Sequence, residues 1–87
     1  MQKVKNELAK LLRLRGNAHG AREELTLILQ LDSNHHDARA LLGVIEIETG
    51  DRKEGLQHLR AVVDRCADHP VASAYLQQAD SDYRRAS

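Results

Sequence analysis

The residues best equipped for chemistry in this chain are its five histidines, and three of them are placed suggestively. His35 and His69 lie 34 residues apart, with His36 beside the first. Imidazoles repeated along one edge of a fold could share a metal ion. Zinc sites, however, draw their ligands from H-x3-H or C-x2-C spacings, and none of these three falls into either pattern. They are read as polar loop histidines. Ser33, Ser73 and Ser81 have no evident His–Asp partner, the carboxylates are scattered, and no glycine-rich phosphate loop is present. Cys66 stands alone, so it forms no disulfide within the chain; it fits a reducing compartment and reads as a packed or idle thiol. No catalytic, metal or cofactor residue is therefore assigned, and a non-enzyme is expected.

Composition narrows the class. At 87 residues there is room for one domain, and a chain of this size buries only about 60–65% of its unfolded surface, so its stability is modest. A hydrophobic content of 41% with 30% charged residues suits an ordered chain rather than a disordered one. No apolar run reaches the ~20 residues that span a bilayer, and Lys3 and Lys5 are not followed by the apolar stretch of a signal peptide. A cytoplasmic chain without membrane insertion is expected, or a periplasmic one if it belongs to a longer protein. Thirteen basic residues balance thirteen acidic ones, but unevenly: Lys3, Lys5, Lys10, Arg13 and Arg15 face Glu7 alone in the first fifteen. This basic end suits an acidic element of a partner or a solvated helix face. Nucleic acid is a poor partner for it, because only Tyr75 and Tyr83 could stack on bases.

These residues must be positioned by an internal repeat. Gly16-Asn17 recurs as Gly50-Asp51 after 34 residues; Ala21, Leu25, Ile28 and Leu29 are answered by Gly55, Leu59, Val62 and Val63. Ala38, Leu41 and Leu42 are answered by Ala72, Tyr75 and Leu76. A fixed period of this length marks stacked supersecondary units, none of which buries its apolar face alone. Within each unit the apolar residues recur at helical spacing: Val4, Leu8, Leu11 and Leu12; Ala21 to Leu29; Ala38, Leu41, Leu42 and Ile45; Leu56, Leu59, Val62 and Val63; and Ala72, Tyr75, Leu76, Ala79 and Tyr83. Five helices follow. Gly16 and Gly50 can take the left-handed conformation that ends a helix. Asn17 and Asp51, Asn34 and Asp68 are placed to open the next ones, Asp51 with Glu54 as an acidic capping box. Pro70 fits a first turn, where its missing amide hydrogen costs nothing. Loops of three to five residues make neighbours antiparallel, so the fold class is all-α and the units are helical hairpins.

The segments ILQLDSNH (Ile28–His35) and ARALLGVIEIETGDRKEGLQHL (Ala38–Leu59) give the chain a resemblance to the tetratricopeptide repeat family, whose signature is a 34-residue helical hairpin. Leu42-Gly43 stands at the family's Leu-Gly pair and Gly50-Asp51 at the inter-helix turn; Leu8-Ala9, Ala21 and Leu25 match in the first unit. Arg39 replaces the usual aromatic, Glu46 the usual tyrosine, and Ser33 and Ala67 the turn proline. The resemblance implies one repeat over residues 2–35, a second over 36–69 and a capping helix over 70–85, in a short right-handed α-solenoid.

It also implies where a partner binds. In this family the first helix of each pair lines a concave groove. The groove residues here would be Lys3, Asn6, Lys10 and Arg13, then Asp37, Ala40, Leu41, Val44 and Ile47, then Val71, Ala74 and Gln78. The first set would make a basic wall; Ala40, Val44 and Ile47 would make an apolar floor, unless those side chains instead pack inward against the neighbouring helices. Leu41, Val71 and Tyr75 stand where the chaperone-tail-binding members need amide and basic groups, so that specialisation is not expected. The expectation is a non-catalytic interaction module of a bacterial assembly, secretion or surface-biogenesis system. Its partner would be a protein or peptide segment carrying acidic and apolar residues. The alternative is a self-associating building block, a homodimer covering the open side of the first helix, or a fragment of a longer scaffold.

Overall fold

Two glycines decide the course of the backbone. Gly16 and Gly50 adopt φ of +81° and +103°, the left-handed region that penalises a Cβ. Around Gly16 the amide of Asn17 donates to the Leu12 carbonyl at 2.8 Å and that of Gly16 to Arg13 at 3.0 Å. One period later Asp51 donates to Glu46 at 2.7 Å and Gly50 to Ile47 at 3.3 Å. Both are the paired hydrogen bonds of a Schellman ending, which satisfies terminal carbonyls and reverses the chain.

The computed structural model describes residues 7–86, and the side chains of residues 7–79. Among the described residues there are five helices and no strand: α1 (Glu7–Leu14), α2 (Ala18–Leu31), α3 (His36–Glu48), α4 (Arg52–Arg65) and α5 (Pro70–Ala86). Val4 and Tyr83, expected on the apolar stripes, lie outside the residues described at side-chain level. No described helix is long and apolar enough to cross a membrane. Each helix packs on its sequence neighbour, and α3 also touches α5. The result is a slab with principal extents of 46 × 28 × 17 Å.

The helix starts follow the repeat but not always the residues expected. Asn17 caps α2, its Oδ1 accepting from the Gly20 amide at 2.9 Å. Asp51 sits at the start of α4 without a side-chain capping bond. Asn34 and Asp68 are not the caps of α3 and α5: the adjacent histidines are. His35 Nδ1 accepts from the Ala38 amide at 3.1 Å, and His69 Nδ1 from the Ala72 amide at 3.3 Å. An imidazole nitrogen that accepts carries no hydrogen, so in both rings the hydrogen is on Nε2. Pro70 follows its cap directly, at the first helical position.

The core forms two linked clusters. Ala9, Ala21, Leu25, Ile28, Ala38, Leu42 and Ile45 join α1, α2 and α3. Ala40, Leu59, Val62 and Ala72 join α3, α4 and α5. Leu25 and Leu59, one period apart, are both fully buried. The tightest approach is between α3 and α4: a Cβ on Gly43 would stand 2.8 Å from the Gly55 carbonyl oxygen, and a Cβ on Gly55 would stand 2.6 Å from Ile47 Cγ1. Two glycines facing each other let the helix backbones touch, which no larger pair permits.

Candidate interaction surface

The concave side is closed rather than open. Arg13 of α1 reaches Glu48 at the end of α3 through a two-pronged hydrogen bond, Nε to Oε1 at 2.8 Å and a terminal nitrogen to Oε2 at 2.6 Å. That bond raises the guanidinium further above its ordinary value and holds the Glu48 carboxyl below the usual carboxylate range. At the other end of α3, Asp37 Oδ1 accepts from His69 Nε2 at 2.7 Å. The hydrogen bond from His69 holds the Asp37 carboxyl below its ordinary value. The same ring therefore caps α5 through one nitrogen and ties it to α3 through the other.

Between these ties the expected apolar floor is core. Ala40 and Val44 are buried; Ala40 packs with Leu59, Val62 and Ala72. Leu41 and Ile47 are half-buried, one against each core cluster. The physical reason is that α3 is the central helix. It packs against α2, α4 and α5 at once, which leaves no arc free for a groove floor. The expected basic wall is also spent: Arg13 is bound to Glu48, and Lys10 stands 3.7 Å from Glu7. Val71, Ala74 and Gln78 of α5 remain at the surface. Lys3 and Asn6 lie outside the described residues.

The open apolar surface is elsewhere, on α1. Leu8 and Leu11 are each 53% exposed and Leu14 76%. Their counterparts one period later are Leu42, Ile45 and Glu48. Leu42 and Ile45 are 7% and 0% exposed, because the first hairpin covers them with Ala9, Ala21, Leu25 and Ile28. The two helices thus present the same pair of side chains in the same direction, and only the second pair is covered. Residues 8, 11 and 14 fall within one arc of about 120° at 100° per residue, so they form a stripe. This stripe was legible in the sequence as the uncovered outer side of the first helix; its extent required the burial of its counterparts.

Cys66 offers no competing chemistry. Its Sγ donates to Asp68 Oδ1 at 3.4 Å, and that hydrogen bond pushes the thiol pKa up, away from the thiolate that would react. Comparison with family models, with curated protein sequences and with solved structures matches none of them to this chain.

Proposed function

We propose that the protein is a non-catalytic interaction module, a short stack of tetratricopeptide-like hairpins whose α1 stripe receives a helical, aliphatic segment of a partner protein. One observation carries this reading: Leu8 and Leu11 stand exposed where Leu42 and Ile45, one period on, are covered by a hairpin. What covers the second pair is a helix surface of alanine, leucine and isoleucine, and the same chemistry fits the first. Desolvated aliphatic anchors dominate the centre of such contacts, and helix-on-helix recognition reads them at spacings of three and four. The basic residues around the stripe, Lys10 and Arg15, favour an acidic rim on the partner and act mainly on association rate. A second copy of the chain is the alternative occupant, since a symmetric contact covers an open stripe with itself.

The test compares two surfaces. A photoreactive residue at position 11 should crosslink to an aliphatic helical segment of a partner. The variant Leu8→Glu/Leu11→Glu, which folds normally by circular dichroism, should lose that partner. Ala74→Glu, on the exposed concave side of α5, should keep it. Loss with Ala74→Glu and retention with the α1 variant would overturn the reading in favour of the concave row. Crosslinks from one copy of the chain to another, with a dimer mass in light scattering, would assign the stripe to self-association.

A further inference from the structure

Glu46 is a carboxylate where the repeat asks for a hydrocarbon. Its counterpart one period earlier is Leu12, which packs on the first core cluster. Glu46 is nonetheless only 6% exposed. Burying a carboxylate is expensive unless its charge is met. Its oxygen Oε1 stands 3.3 Å from His58 Nε2 on α4. One turn before His58 on the same helix face is Glu54, and the donor atoms of Glu46, Glu54 and His58 all lie within 4.8 Å of one another. In the first hairpin the corresponding positions are Leu12, Gly20 and Glu24, so neither hairpin packing nor the turn requires this trio.

We infer that Glu46, Glu54 and His58 form a binding site for one divalent transition-metal ion of the zinc type. Two carboxylates and a neutral imidazole carry a charge of minus two, which such an ion cancels. Oxygen and imidazole nitrogen together are the donor set of zinc sites with three protein ligands and a water. Ligand atoms at about 2.0–2.1 Å from a tetrahedral zinc ion stand about 3.3–3.4 Å apart, the separation seen between Glu46 and His58. Glu54 is exposed, so its side chain is free to swing inward and close the remaining gap. The support is rigid: the backbones of α3 and α4 touch at Gly43 and Gly55, three residues before Glu46 and three before His58. Two ligands one helical turn apart and a third from the facing helix would be bridged by the ion, which clamps α3 to α4 and leaves a position open to solvent.

The experiment is calorimetric titration of the full chain with zinc chloride at neutral pH, with cobalt(II) as a spectroscopic stand-in. One ion per chain is expected, with visible cobalt bands of a four- or five-coordinate centre. Glu54→Gln and His58→Ala should each weaken binding by about tenfold or more. Glu46→Leu restores the residue of the first repeat and so should fold at least as well while binding no zinc. His19→Ala removes the exposed His19–Glu23 pair and should change nothing. Absence of saturable binding would overturn the inference. So would undiminished binding in Glu54→Gln or Glu46→Leu, or binding that disappears with His19→Ala.

Discussion

Replacing Gly55 by alanine sets two effects of opposite sign against each other. In a helix interior the change should stabilise by about 1 kcal/mol, because alanine is the better helix former. The new methyl group, however, would sit 2.6 Å from Ile47 Cγ1 and in clash with the Gly43 carbonyl oxygen. Carbon contacts are comfortable only at about 3.5–4.0 Å, so α3 and α4 must separate by about 1 Å along their closest line. Both obstacles are awkward to move: one is backbone, the other a branched side chain held at the second core cluster. Overpacking of this kind costs about 1–3 kcal/mol and occasionally more, and the separation also loosens Leu59 and Val62. The clash should outweigh the propensity, for a net loss of about 1–2 kcal/mol, or some 4–16 °C in midpoint for a domain of this size. Thermal denaturation followed by circular dichroism at 222 nm, with exposed Gln57→Ala on the same helix as the control, reads it directly. A Gly55→Ala midpoint equal to or above the parent's would refute the close crossing of α3 and α4.

Two further outcomes follow from the core and the surface ties. Leu25→Ala and Leu59→Ala should each cost about 2–5 kcal/mol, a large part of the total for so small a domain, with equal loss of helicity at the two positions; denaturant melts of both variants check it. The depressed Asp37 and Glu48 carboxyls contribute stability that is present above the ordinary carboxylate value of about 4 and is lost as pH falls through their lower folded values. Both side chains are largely solvated, so each contribution is below about 1 kcal/mol and shrinks in salt. Asp37→Asn/Glu48→Gln should therefore flatten the midpoint's decline in acid and in low salt, and an unchanged slope would show that the two ties are idle.

The five helices and the two glycine turns were readable because they rest on local rules: apolar spacing and backbone conformation at Gly16 and Gly50. The concave floor was not. A helical wheel shows which residues share a face but not how many neighbours the helix has. Ala40 and Val44 look spare on the wheel until α5 is seen to lie against α3 as well. The caps slipped by one residue for a related reason. Asn34 and Asp68 are better capping types, but His35 and His69 have the reach to cap and, for His69, to bind Asp37 as well. The Glu54-x3-His58 spacing was present in the sequence as two ligands one turn apart. Its third member comes from another helix and depends on the Gly43–Gly55 contact, which sequence alone shows only as a small residue answering Ala21.

The order in which the helices touch also governs how the chain reaches its fold. Contacts run α1 to α2, α2 to α3, α3 to α4 and α4 to α5, with only the α3–α5 contact skipping a helix. Loops of three or four residues close each pair, so little chain entropy is lost before contacts reward it, and such local topologies fold in microseconds to milliseconds. Each hairpin can also dock on the one before it as it leaves the ribosome, without waiting for a distant segment. The same geometry makes unfolding begin at the ends. α5 is held chiefly by α4 and by the His69 tie, so it can open while α1 to α4 stay assembled. Amide hydrogens should therefore exchange in steps from the last helix inward rather than all at once.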